Sequence, residues 1–409
     1  MELSKKNLIN VLGSGIEKFL KLPIQFISTS LVLREIGVAA TGELAMVLAT
    51  YLIVTSITAN GLNQIYIKKE AKINRYKSSA LINYLVTQNI YVFIGVVLYI
   101  YYIGTLDTYL LFILPILLSQ FGLLKARAEA QRKLISITPL ETVTALIFAL
   151  IKIYFIDYIT LDWLTIILVA EYSIYNLLPI IFLSKDDFKL YNFSIKVIKI
   201  LCRKSLWYVG IALSISIHMR IDQVMIYEML TLEANGNYNA IVRVVEAASS
   251  IFLIFMPTLN ALIQRFSNAY SIEVINTSLR RGMMLLSGII IILLFFGNEL
   301  FHLLYGEDFT YYTSHTIILF GSLIFMFMGT LTSSIYVKQN LEKYLFFNMV
   351  IAASLNILMN FVFIEAYGVL GACISTFFAY LVTGFLGDFF WRKTFFIGRI
   401  KLKALTLKW

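Results

Sequence analysis

Apolar runs of about twenty residues recur along this chain from one end to the other, and each is long enough for a helix to cross the hydrocarbon core of a bilayer. Only 14% of the 409 residues are charged and 59% are hydrophobic. A soluble chain carries about 25% charged residues. The runs are continuous and lack the alternation of barrel strands, so the expected fold is an all-α membrane protein. Twelve spans can be drawn, at 8–32, 41–66, 79–103, 108–124, 139–157, 162–184, 205–228, 237–262, 282–304, 312–336, 344–364 and 368–390.

Charge sets the orientation. With the N-terminus in the cytoplasm, inner segments hold 28 of the 34 Lys and Arg, outer loops hold Arg34 alone, and five lie within spans. That asymmetry predicts a multi-pass membrane protein with both termini cytoplasmic. The net charge of +10 is then a topology signal with lipid contact, and nucleic acid is not expected as a partner. No cleavable leader is expected, because charges interrupt the first apolar run.

The longest inner connection, residues 185–204, reads as an amphipathic linker on the membrane surface. It divides the chain into an N-terminal lobe (1–184, spans one to six) and a C-terminal lobe (205–391, spans seven to twelve). A basic cytoplasmic tail follows at 392–409. Six is an even number, so a repeat of the two halves would be parallel, about a pseudo-two-fold axis along the membrane normal. Gly42 and Gly236, each opening the second span of its half, are a faint trace of such a repeat.

The first span is the least ordinary. Asn10, Ser14, Glu17, Lys21, Gln25 and Ser28 recur with the period of an α-helix and share one face, with Lys18 at its edge. A charge in hydrocarbon costs about 2.5–3.5 kcal/mol or more, so this face must look into protein or water. It reads as one wall of a central polar cavity with basic groups at its heart. A simpler alternative is that Glu17 and Lys21 pair and only pack the bundle, which leaves Lys18 unexplained. Pro23 lies inside the same helix and should bend it.

Other spans carry charges too. In the seventh, Arg220 and Asp222 are two apart and point to opposite sides, Asp222 sharing a face with His218. In the eighth, Asn239, Arg243, Glu246, Ser250 and Pro257 fall on one side, and Arg243 can reach Glu246. Lys152 and Glu171, in the fifth and sixth spans, lie at similar depth and are expected to form a structural charge pair. Basic groups in a membrane cavity suit a phosphate or pyrophosphate head group. Carboxylates there suit proton or cation coupling.

Enzyme chemistry finds little support. There is no G-x-S-x-G, H-E-x-x-H or Walker loop. Three His and two distant Cys, Cys202 and Cys373, offer neither a metal site nor a disulfide framework, and no cofactor is implied. Asp186-Asp187 resembles the acidic pairs of sugar transferases but reads more simply as a solvated pair beside Lys185.

Several stretches resemble the polysaccharide-transporter branch of the multidrug/oligosaccharidyl-lipid/polysaccharide exporters, and within it the O-antigen flippases. LVLREIGVAATGELA is similar to the junction between the first two spans, with Arg34, Gly37 and Gly42 in place. MRIDQVMI matches an Arg-Ile-Asp signature at Arg220 and Asp222. ANGNYNAIVRVVEAASSIFLIFMPTLNALI is similar to a Gly-x-Tyr…Arg…Pro pattern at Gly236, Tyr238, Arg243 and Pro257. LLYGEDF, SLNILMNF and YGVLGACIST complete the series. Glu35 and Ile36 depart from the family's usual residues.

The resemblance implies two six-helix lobes around a central cavity. It implies flipping of undecaprenyl-pyrophosphate-linked oligosaccharide from the cytoplasmic to the periplasmic face by alternating access, not enzymatic turnover. Lys18, Lys21, Arg220 and Arg243 would meet the pyrophosphate and sugars. Glu17, Asp222 and Glu246 would couple or gate, and Pro23 and Pro257 would serve as hinges. A polysaccharide polymerase and a chain-length regulator would be neighbours. Two alternatives stay open: a cation-coupled multidrug antiporter of the same fold, and a membrane-embedded sugar transferase or polymerase.

Overall fold

The computed structural model describes residues 5–70, 81–104, 107–130, 137–182, 193–265 and 268–405, with side chains along α1 described from Lys21 onward. It is all-helical: no strand occurs among the described residues. Eight of its helical segments are long and apolar enough to cross a membrane. The chain is a multi-pass membrane protein. Its contacts divide it into two compact units, a continuous one (Met46–Arg220) and a composite one (Met1–Ala45 with Ile221–Trp409).

The chain opens with α1 (Lys5–Ile36), which runs through Pro23, and α2 (Val38–Glu70). Gly37 separates them at φ +85°, a left-handed backbone that glycine adopts without a Cβ penalty.

The continuous unit then holds the rest of α2, α3 (Leu81–Ile103), α4 (Ile113–Leu118), α5 (Gly122–Ala130), α6 (Thr138–Tyr154) and α7 (Leu161–Leu177). The fourth apolar run is not one regular helix. 3-10 turns at Asp107–Phe112 and Ser119–Phe121 flank α4. The Pro115 carbonyl inside α4 accepts a side-chain hydrogen bond from Asn176 Nδ2 at 2.9 Å. Packing onto α7 thus supplies a partner that the irregular backbone leaves open.

The seventh run begins earlier than its hydropathy indicated. Helix α8 spans Ile195–Met229 without a break, so residues 195–204 are its first turns. They are tied to α3, where the Ser194 amide donates to Asn83 Oδ1 (2.8 Å) and Tyr91 shares a 2.6 Å hydrogen bond with Ser205. Around these bonds Leu62, Tyr66, Tyr84, Leu123 and Leu201 form a buried apolar cluster.

The composite unit continues with α9 (Leu232–Arg265), α10 (Asn268–Tyr305), α11 (Thr313–Lys338), α12 (Glu342–Tyr367), α13 (Val369–Gly384) and α14 (Phe395–Leu405). α1 packs on α9 and α10, and α11 packs on α9, α10 and α13. Near its start α2 crosses α9 backbone to backbone. A Cβ on Gly42 would fall 1.9 Å from the Leu232 carbonyl oxygen, and one on Gly236 would fall 2.0 Å from that of Val38. Asn235 Nδ2 closes the crossing by donating to Gly42 O at 2.6 Å. The glycines that hinted at a repeat therefore face each other, in the close small-residue packing of membrane helices.

The last apolar run stops at Gly384, short of the expected limit near 390. Gly384 lies against α11, where a Cβ would fall 2.0 Å from Phe325 O. A 3-10 turn (Leu386–Phe389) then carries the chain back into α14, which packs on α10 and α11. A buried ion pair locks it there. Lys401 Nζ lies 2.6 Å from Asp388 Oδ2, both side chains 1% exposed, and also donates to Gly384 O at 2.6 Å. Tyr336 OH donates to Asp388 Oδ1 at 2.5 Å, and Thr394 Oγ1 to Asp388 O at 2.7 Å. Burial pushes the Lys401 ammonium below the usual lysine range, and the adjacent Asp388 carboxylate offsets part of that.

Candidate functional site

The site begins on α1. Lys21 and Gln25 are half-buried and Ser28 is buried, whereas Pro23 and Ile27 (47% exposed) lie on the opposite side. Ser28, the last member of the polar stripe, is therefore covered by protein, and Lys21 and Gln25 are partly covered. The neighbours of α1 are α9 and α10. Ser30 Oγ donates to Tyr305 OH, at the end of α10, at 3.1 Å. Glu17 and Lys18 fall on the helical backbone of α1, but their side chains lie outside the described residues.

On α9, Arg243 is half-buried and its Nε donates to Asn239 Oδ1, one turn earlier, at 2.8 Å. Glu246 is half-buried one turn further on. Arg243 and Glu246 both lie within electrostatic range of the Tyr305 hydroxyl. Tyr305 thus touches α1 at Ser30, two residues beyond the stripe and on the helix side of Pro23 and Ile27, and lies close to the charges of α9. It was not singled out from the sequence, because one Tyr among 25 in an aromatic-rich membrane chain gives no local signal. Pro257 falls within α9, with its side chain outside the described residues.

Asp222, in the second half of α8, is buried and richly bonded. Tyr238 OH donates to its Oδ2, Thr376 Oγ1 donates to the same oxygen at 3.2 Å, and the Gln223 amide donates to Oδ1 at 2.8 Å. Three helices, α8, α9 and α13, meet at this carboxylate. A proton or cation arriving there would have to compete with these three hydrogen bonds. Arg220, two residues before it, is half-buried and is the last residue of the continuous unit.

Within the continuous unit, Lys152 Nζ lies 2.7 Å from Glu171 Oε2, and both side chains are 3% exposed. Tyr175 OH donates to the other Glu171 oxygen at 3.3 Å. In the same unit Lys125, within α5, pairs with Glu141 in the first turn of α6. Among the described residues no group of three or more His, Cys, Asp or Glu side chains could hold a metal ion.

Residues 8–259, more than half of the chain, match the family model described as polysaccharide biosynthesis protein. Among curated proteins none matches. Solved structures share the fold at low identity. The lipid II flippase MurJ in an inward closed conformation superposes with a TM-score of 0.77 at 12% identity, covering 97% of this chain and 91% of MurJ. An inward-facing multidrug resistance MATE transporter of the MOP superfamily gives 0.68 at 14% identity, covering 95% of this chain and 99% of that one. The eukaryotic MATE transporter AtDTX14 gives 0.58 at 11% identity, with 98% of both chains covered. An all-helical membrane chain with this fold and this match belongs to the polysaccharide biosynthesis protein family.

Proposed function

We propose that this protein flips undecaprenyl-pyrophosphate-linked O-antigen, or a related oligosaccharide repeat unit, from the cytoplasmic to the periplasmic face of the bacterial inner membrane. The family match and the fold shared with a lipid II flippase support a lipid-linked substrate. One observation carries the choice of an anionic head group. Lys21 is half-buried on α1, and α1 packs on α9, the helix that bears Arg243 and its partner Asn239.

In this reading α1, α6, α9 and α13 join the eight apolar helices to make twelve spans, with both termini cytoplasmic. Two six-helix lobes, residues 1–184 and 205–391, rock about a central cavity. Lys18, Lys21 and Arg243 hold the pyrophosphate by charge and hydrogen bonds. Arg220 assists them or locks a lobe. Glu17, Asp222 or Glu246 exchanges a proton or cation and couples flipping to an ion gradient. Pro23 and Pro257 supply hinges, and the Lys152–Glu171 pair holds its own unit together. A polymerase and a chain-length regulator act on the delivered units.

The deciding experiment removes the protein and measures on which membrane face undecaprenyl-linked sugar units accumulate. Build-up on the cytoplasmic face, cured by the wild type and not by Lys21→Ala, is the expected result. Units that reach the periplasm unpolymerised would overturn the proposal in favour of an enzyme. The likeness to MATE transporters favours a second reading, a drug antiporter of the same fold. That reading requires cation-coupled efflux, no change in either sugar pool, and indifference to Lys21→Ala.

A further inference from the structure

Helix α14 carries large apolar side chains and charge on both of its faces. Its packed face holds Ile397, Ile400 and Ala404, together with the cation of Lys401 locked to Asp388. Its outer face carries Phe395 (40% exposed), Arg399, Leu402 (44% exposed) and Lys403, at helical spacings that place all four on one side. Arg392 and Lys393, just before the helix, are exposed as well. Residues 389–405 contain no Asp or Glu, so no carboxylate of the segment neutralises this face. The Arg399 guanidinium lies over the Phe395 ring, 5.0 Å from its centroid, so a cation and an apolar ring form one patch.

Phe395 rests edge-on against Phe389 at 5.3 Å, yet it and Leu402 stay 40% and 44% exposed, because Ile397, Ile400 and Ala404 already fill the packed face. Water gives Phe395 and Leu402 no reason to be outside, whereas the boundary between lipid head groups and acyl chains does. Interleaved cations and large apolar side chains on one exposed helix face are the chemistry of an interfacial helix on an anionic bilayer. The buried Lys401–Asp388 pair fixes the rotation of α14, so the outer face is held in place and does not await binding to form.

We propose that the outer face of α14 binds the anionic phospholipid head groups of the membrane that the protein spans, with Arg392, Lys393 and Arg399 meeting phosphates and Phe395 and Leu402 entering the acyl boundary. The inference rests on the membrane fold and is independent of what the protein transports.

The full chain carrying Cys202→Ser and Leu402→Cys is labelled at position 402 with an environment-sensitive fluorophore. It is then reconstituted into vesicles of phosphatidylethanolamine with either brominated phosphatidylglycerol or brominated phosphatidylcholine. Quenching several-fold stronger by the anionic lipid is expected. It should weaken roughly five-fold for each of Arg392→Gln and Arg399→Gln, from the electrostatic contribution of one basic residue at an anionic surface. These substitutions lie on exposed positions and leave the Asp388 lock intact, so a thermal unfolding curve unchanged from the parent separates lost binding from lost fold. Equal quenching by both lipids overturns the anionic specificity. Absence of quenching by either overturns the interfacial placement. A preference erased by millimolar inorganic phosphate assigns the cations to a free anion and overturns the lipid assignment.

Discussion

Two regions of the composite unit treat charge in opposite ways. At the C-terminal end, the Asp388 and Lys401 side chains are 1% exposed and ion-paired, Tyr336 donates to the carboxylate, and Lys401 donates to the Gly384 carbonyl. On α9, Arg243 is half-buried, and its Nε donates to a neutral amide, Asn239. A closed, dry ion pair specifies how elements fit and has nothing left to offer a ligand. A half-buried cation hydrogen-bonded to a neutral group keeps its charge available. Lys152–Glu171 belongs to the closed class, so a charge inside a membrane protein is not by itself a mark of function.

Single substitutions separate the two kinds of charge most sharply. Lys21→Ala and Arg243→Ala should each abolish surface polysaccharide, a loss of at least roughly a hundredfold if the pyrophosphate loses a charge-assisted contact worth about 3 kcal/mol. Protein levels in membranes should stay normal, and Lys21→Arg should retain partial function. Wild-type polysaccharide in both alanine variants would sink the cavity assignment. The closed pair should behave the other way. Lys401→Ala or Asp388→Ala leaves a lone buried charge and should cost about 3–5 kcal/mol, read as a lower unfolding temperature and reduced membrane levels. The double variant Asp388→Leu/Lys401→Met should recover most of that stability, because an apolar pair of similar volume is often neutral or better. If the double variant is as unstable as either single one, the lock is more than an ion pair.

How much of this was readable from the sequence depended on distance along the chain. The inward face of α1 was legible because a 3.6-residue period is local, and the described part of the helix buries Ser28 while exposing Ile27. The start of α8 at Ile195 was not legible, since its tether to Asn83 and Tyr91 on α3 is more than a hundred residues away in sequence. The same holds for Asp222: its family signature marked it, but its partners Tyr238 and Thr376 come from two other helices. Lys401 read as one more cation of a basic tail, because nothing local tells a cation that will be buried against Asp388 from one that stays outside. In the sequence Gly42 and Gly236 suggest only symmetry, whereas in the fold their role is steric.

That steric meaning gives the next test. Gly42→Ala and Gly236→Ala each place a methyl about 2 Å from a carbonyl oxygen of the facing helix, so α2 and α9 must separate. Overpacking of this kind costs about 1–3 kcal/mol. The expected result is a lower unfolding temperature in either single variant. The double variant should be less destabilised than the sum, because one separation relieves both clashes. Strict additivity would mean that the two glycines do not share a crossing.

The smallest effect should come from Tyr305→Phe. It removes one hydroxyl, the acceptor for Ser30, and leaves the ring packing against Phe301 and Phe309 in place. A neutral hydrogen bond is worth about 1 kcal/mol net, so unfolding should move by only that much. The same hydroxyl lies close to Arg243 and Glu246, on the half-buried side of the comparison. If those charges handle substrate, transport should fall by more than the five-fold that 1 kcal/mol represents, and Ser30→Ala, which removes the hydrogen bond but keeps the hydroxyl near the charges, should be milder. Equal transport losses in Tyr305→Phe and Ser30→Ala would make Tyr305 a strut between α10 and α1 and nothing else. A larger loss in Tyr305→Phe alone would place its hydroxyl among the groups that the transported head group meets.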